Sequence, residues 1–108
     1  VGEVPPNSAL HILRGDADAL VAAAAQAATD ATDGASGGTG FVVDCISRVL
    51  FLEDRFGEEW DAVRGAYAEA GLTTPEGPLT LGEIASDGRG FLQLYNKTCV
   101  AALVGGDG

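Results

Sequence analysis

Five residues stand out by type and spacing as able to do chemistry: Cys45, Arg48, Glu83, Asn96 and Thr98. Cys45 and Arg48 follow the apolar run Phe41-Val42-Val43, where a short buried strand must give way to a helix. A thiol ahead of a helix N-terminus and beside a guanidinium is in a setting that lowers a cysteine pKa. A nucleophile also needs a base, and the only histidine, His11, falls too early on a parallel strand to reach Cys45. Cys45 is therefore a packing residue, and no catalytic residue is expected. Arg48 is the more telling of the two. A cation in the first turn opposes the helix dipole by up to ~1 kcal/mol, so something must compensate it. Either Arg48 pairs with Glu83 as a lock between elements, or its forked guanidinium anchors a ligand carboxylate beside free helix N–H groups.

The elements that must position these residues follow from local pattern. Pro5-Pro6 makes the lead-in extended, and the weak alternation of Ala9–Arg14 predicts a first strand. Asp16 is the expected N-cap of a helix from Ala17 to about Thr32, nearly all alanine, with Leu20 and Val21 its only large apolar residues. The glycine-rich stretch 33–40 lacks the Gly-Lys-Ser/Thr ending of a phosphate loop and runs into a strand, so it is a linker. Val49, Leu52, Phe56, Trp60, Val63, Tyr67 and Ala70 recur at steps of three and four. They predict one long amphipathic helix with a break at Gly57 and a left-handed cap at Gly71. Its acidic residues, Glu59 among them, fall mainly off the stripe, and Trp60 is a core residue. Leu79–Ala85 predicts a third strand interrupted at Gly82, residues 86–90 a turn, and 91–104 a fourth strand, strongest over Thr98–Val104.

The order is β-α-β-α-β-β. Right-handed crossovers put both helices on one face of a mixed four-stranded sheet, an α/β two-layer sandwich. The third strand runs parallel to the second, and the last runs antiparallel to the third. One sheet face is left without cover, with Val43, Cys45, Cys99, Ala101 and Leu103 available to line it. In this arrangement Cys45, Arg48, Glu83, Asn96 and Thr98 converge on one sheet edge, where open α/β sheets usually bind ligands.

Composition narrows the partners. The 108 residues make one domain, 1–108, and the absence of Met marks it as a piece from the C-terminal end of a longer protein. Sixteen acidic residues against six basic ones, with Lys97 the lone lysine, give a net charge of −10. Such a surface repels nucleic acid and anionic membranes, and its lysine poverty suits the cytoplasm of a salt-loving organism. Two cysteines outside any disulfide framework also point to a reduced, cytoplasmic setting. No metal site or cofactor is expected: His11 has no second ligand near it in the pattern, and nothing else builds a haem pocket.

Cys45-Ile46-Ser47-Arg48, then Gly82-Glu83-Ile84, then Asn96-Lys97-Thr98 before an apolar strand, together resemble the C-terminal half of FIST sensory domains. The likeness runs from about Pro5 to Val104 and includes Gly77 and the acidic second helix. It implies a non-enzymatic sensory module of intracellular signal transduction that binds a small ligand, such as an amino acid or other small carboxylate. It also implies an N-terminal FIST partner domain and an output such as a histidine kinase. The alternative is a structural or interaction module that packs on that partner domain and has no ligand of its own.

Overall fold

The computed structural model describes residues 3–86 and 88–105. Asp87 of the expected turn and the glycine-rich end at 106–108 lie outside the described residues.

Helix α1 spans Ala17–Thr32. Asp16 caps it as expected, its carboxylate accepting from the Ala19 N–H at 2.9 Å. Ala24, Ala28 and Thr32 form its buried face. Their small side chains let the helix axis lie close to its neighbours. Strand β1, Thr39–Cys45, is the central strand. It leads directly into α2, Ile46–Leu52. Helix α3, Phe56–Glu69, resumes after a single 3₁₀ turn at Glu53–Arg55. The break expected at Gly57 falls instead at Glu53, whose φ of 50° lies in the left-handed region and stops α2. Gly71 caps α3 at φ 73°, with Leu72 N–H donating back to the Tyr67 carbonyl at 3.0 Å.

The remaining strands are short: β2 Leu79–Thr80, β3 Glu83–Ala85, β4 Gln93–Tyr95 and β5 Cys99–Val104. They do not make the four-stranded sheet expected from the sequence. One mixed sheet has the order β2-β1-β5, and β3-β4 forms a separate hairpin. The expected third strand is cut at Leu81-Gly82. Its first half runs parallel to β1 as foreseen, and its second half turns away to pair antiparallel with β4. Strand β5 lies beside β1, from Thr39↔Val104 to Asp44↔Cys99. The expected first strand, Ala9–Arg14, finds no strand partner among the described residues, and its Ile12 is 97% exposed.

Register decides which side chains meet the helices. Gly40, Val42 and Asp44 pair with Leu103, Ala101 and Cys99, and all project toward α1 and α3. Cys99, Ala101 and Leu103 therefore belong to the core and not to the bare face. Val43 keeps its expected place on the far face, beside Phe41 and opposite Val100. Tyr67 crosses over Gly40, where a Cβ would come within 2.5 Å of its ring, and donates its hydroxyl to the Ala102 carbonyl at 2.8 Å. On the other side of β1 the chain 76–78 lies so close that a Cβ on Gly77 would sit 1.6 Å from the Val42 carbonyl oxygen. Only glycine fits there. Ala24, Ala28, Val42, Val63, Tyr67 and Cys99 form the buried centre of this layered half.

Candidate functional site

Arg48 enters the protein at the start of α2 and is 3% exposed. Its Nε donates to Glu59 Oε1 at 3.0 Å, and one Nη bonds the second oxygen of the same carboxylate. This is a forked pair of the strong, charge-assisted kind. The partner is thus Glu59 on α3, not Glu83 as the sequence suggested. Asp44 Oδ1 lies 3.5 Å from the same Nε. The guanidinium also donates to two carbonyls, Leu20 on α1 at 2.8 Å and Lys97 at 3.1 Å. A single side chain thereby ties together α1, α3, the end of β1 and the turn before β5. These bonds supply the compensation that its unfavourable place in the helix dipole requires.

The cluster holds more negative than positive charge. Burial and the neighbouring Glu59 push the Asp44 carboxyl up to about 7, against the opposing pull of Arg48. Asp44 Oδ1 is buried without a hydrogen-bond partner among the described residues. Glu83 is also buried, 1% exposed. Its Oε1 accepts from the Thr80 hydroxyl at 2.7 Å, while its Oε2 has no hydrogen-bond partner among the described residues. Burial pushes the Cys99 thiol up to about 12, so it stays protonated and inert.

The two carbonyls that Arg48 holds form opposite walls of an open crevice of about 360 Å³. Leu13, Arg14, Gly15 and Leu20 line one side, and Asn96 and Lys97 the other. Arg14 and Lys97 are two of the six cationic side chains in an acidic chain. Among the described residues neither has a carboxylate at ion-pair distance. The Lys97 ammonium rests 3.7 Å above the Phe51 ring centroid, a cation–π contact. Lys97 also holds φ at 60°, a left-handed backbone that a non-glycine residue adopts at a cost. Unpaired cations, an amide and apolar leucines make a crevice fitted to an anion with an apolar body.

The five residues singled out from sequence divide accordingly. Asn96 lines the crevice. Thr98 is next to it, donating its hydroxyl to the Asn96 carbonyl at 3.2 Å and accepting from the Cys45 N–H at 3.1 Å through its own carbonyl. Cys45 is 2% exposed, and its sulfur lies 3.0 Å from the Ser47 hydroxyl. Arg48 works from behind the crevice walls, and Glu83 sits beneath β2, bonded to Thr80. The structure thus joins Cys45, Arg48, Asn96 and Thr98 through backbone links, and Glu83 reaches the same end of β1 through Thr80, the register partner of Cys45. Sequence reasoning missed Glu59, Asp44, Arg14 and Lys97. For Glu59 a signal was present: it precedes Val63 by four residues and Tyr67 by eight, the spacing of one buried helical face. His11 is exposed, and no group of His, Cys, Asp or Glu among the described residues is disposed to hold a metal. Among the same residues no helix is long and apolar enough to cross a membrane.

A family model described as the FIST C domain matches residues 1–86, a span that contains Arg14, Cys45, Arg48, Glu59 and Glu83. Neither the curated proteins nor the solved structures compared with the chain include a match. The match covers well over half of the sequence and runs through the strand-to-helix turn at Cys45–Arg48 and the Gly82-Glu83-Ile84 segment, and on that ground the chain belongs to the FIST C domain family, whose members are parts of signal-transduction proteins.

Proposed function

We propose that this chain is a non-enzymatic sensory domain of an intracellular signalling protein, and that it binds a small carboxylate, such as an amino acid, in the crevice between α1 and the β4–β5 turn. The observation that carries this reading is the pair of uncompensated cations, Arg14 and Lys97, on one crevice of a chain with net charge −10. In so acidic a protein a cation without an acidic neighbour is a poor outcome for stability alone. Arg14 forks onto the carboxylate, Lys97 leaves Phe51 to meet the second oxygen, and Asn96 orients the ligand by its amide. Cys45, Arg48, Glu83 and Thr98 act on the ligand indirectly, Arg48 most of all, because it holds both walls by their carbonyls.

A ligand that draws the walls together also pulls on the Arg48–Glu59 pair and so on the packing of α1 against α3. That shift passes to an N-terminal FIST partner domain and on to an output such as a histidine kinase, in the cytoplasm of a salt-adapted cell. Calorimetric titration with a panel of amino acids and short carboxylates tests the proposal. Saturable binding that falls at least tenfold in Arg14→Ala and in Asn96→Ala is expected. Silence across the panel, or binding indifferent to both substitutions, overturns it.

A second reading has its own observation. Leu81, Ile84, Phe91, Leu92 and Leu94 around the β3–β4 hairpin are each at least 65% exposed. An apolar surface of that kind suits an interaction module packed on the partner domain. A tight complex with that domain that is blind to every small molecule in the panel favours this reading over the first.

A further inference from the structure

A second cleft, of about 170 Å³, opens on the other side of the buried cluster. Phe56 and Trp60 of α3 form one wall and Pro78 and Leu79 the other, with Asp44 of β1 between them. The lining is apolar except at Asp44. That carboxyl is 3% exposed and has an oxygen with no hydrogen-bond partner among the described residues. Arg48 does not satisfy it: the Nε proton is already given to Glu59, and the Asp44 contact at 3.5 Å is Coulombic only. A buried polar atom left unbonded is expensive, and natural proteins seldom carry one without a use. Aromatic faces on one side and an unsatisfied carboxylate at the base attract the same kind of guest.

We infer that this cleft is a binding site for a small organic cation, a protonated primary amine carrying a short apolar or aromatic group. The ammonium donates to Asp44, and the apolar part lies against Phe56 and Trp60. A cavity of about 150 Å³ accommodates benzene, so the space suits one ring or a short alkyl chain. The net charge of −10 favours the approach of a cation from every direction. The site is distinct from the cationic crevice lined by Arg14 and Lys97 and stands without it.

The groups facing Asp44 fix how binding depends on pH. Arg48 comes from α2, Glu59 from α3 and Cys99 from β5, and of these only Arg48 is cationic. The Asp44 carboxyl, pushed up to about 7, must lose its proton to receive an ammonium. Affinity therefore rises through neutral pH and levels off above it, while the amine itself remains protonated.

Trp60 is the only tryptophan in the chain, so its fluorescence reports on this cleft directly. Benzylamine is the probe, with benzyl alcohol and benzoate as controls of the same size. At pH 8 benzylamine should change Trp60 emission saturably, with an affinity at least tenfold above that of benzyl alcohol, and benzoate should do nothing. Binding should weaken about tenfold between pH 8 and pH 6, following the loss of ionised carboxylate. Asp44→Asn should abolish the preference for amine over alcohol. Should Asp44→Asn fail to fold, the preference for amine over alcohol and its pH profile in the unaltered chain decide the matter alone. No saturable response to benzylamine at pH 8, equal response to benzyl alcohol, a flat profile across pH 6–8, or amine preference retained in a folded Asp44→Asn each overturns the inference.

Discussion

Arg48 and Arg14 carry the same side chain on opposite sides of one wall. Arg48 is 3% exposed and spends its donors on Glu59, Leu20 and Lys97. Arg14 is exposed, meets no carboxylate among the described residues, and faces a crevice that Arg48 shapes from behind. Of the two, Arg14 is the one free to serve a ligand. A buried guanidinium with four of its five N–H groups bonded is a fastening, and opening it to a guest means breaking those bonds first. An unpaired one at the mouth of a crevice has nothing to give up except water.

The comparison breaks most visibly at Arg48. Arg48→Ala strands two buried carboxylates and frees both crevice walls, and should lower stability by about 3–5 kcal/mol, measured by urea unfolding. Arg48→Lys keeps the charge and loses the fork, so it should recover only part of that. A folded Arg48→Ala protein of ordinary stability would refute the fastening role.

The pH dependence comes next, and its sign is set by Asp44. Its carboxyl rises from an ordinary value of 3.8 to about 7 on folding, so the folded state holds a proton that the unfolded chain releases. This contribution is fully present below pH 3.8 and is lost as pH rises through 7. It amounts to at most a few kcal/mol, at ~1.4 kcal/mol per unit of displacement. Thermal unfolding should show the midpoint falling from pH 5 to pH 8 in the unaltered chain. Asp44→Asn should flatten that slope and be the more stable protein at pH 8.

Glu83 sharpens the contrast further, as a buried carboxylate without a guanidinium. Glu83→Gln keeps an acceptor for Thr80 and replaces the unbonded carboxyl oxygen with an amide, so stability should stay level or rise by about 1 kcal/mol. Glu59→Gln, by contrast, should cost about 2–3 kcal/mol, because it breaks a forked ionic pair. Equal effects in urea unfolding would erase the distinction between the two acids. The smallest effect belongs to Arg14→Ala, within about 0.5 kcal/mol of the unaltered chain, as for an exposed residue with no ion-pair partner among the described residues.

Much of the layered half was legible because its signals are local. The Asp16 cap, the alanine face of α1, the apolar run of β1 and Gly71 each act within a few residues, and each lies where the pattern put it. What failed depended on partners far away in the chain. Ala9–Arg14 alternates like a strand, yet a strand exists only where another edge accepts its hydrogen bonds. The apparent strand at 79–85 divides at Gly82 because its two halves have different partners, β1 and β4. Arg48 was marked as needing compensation, but Glu59 supplies it from a helix eleven residues on, and helical phase alone made that acid visible. The crevice pairs Arg14 with Lys97 across more than eighty positions, and only Asn96 in it carried a sequence signal.

The most direct test of the account is a nitrogen-labelled chain titrated with the tightest carboxylate of the panel, followed by amide NMR shifts. Shifts should concentrate at Arg14, Gly15, Leu20, Asn96 and Lys97, with smaller ones at Arg48 through its two carbonyl bonds. Shifts centred instead on Cys45 and Ser47, on the β3–β4 hairpin, or nowhere, would contradict it.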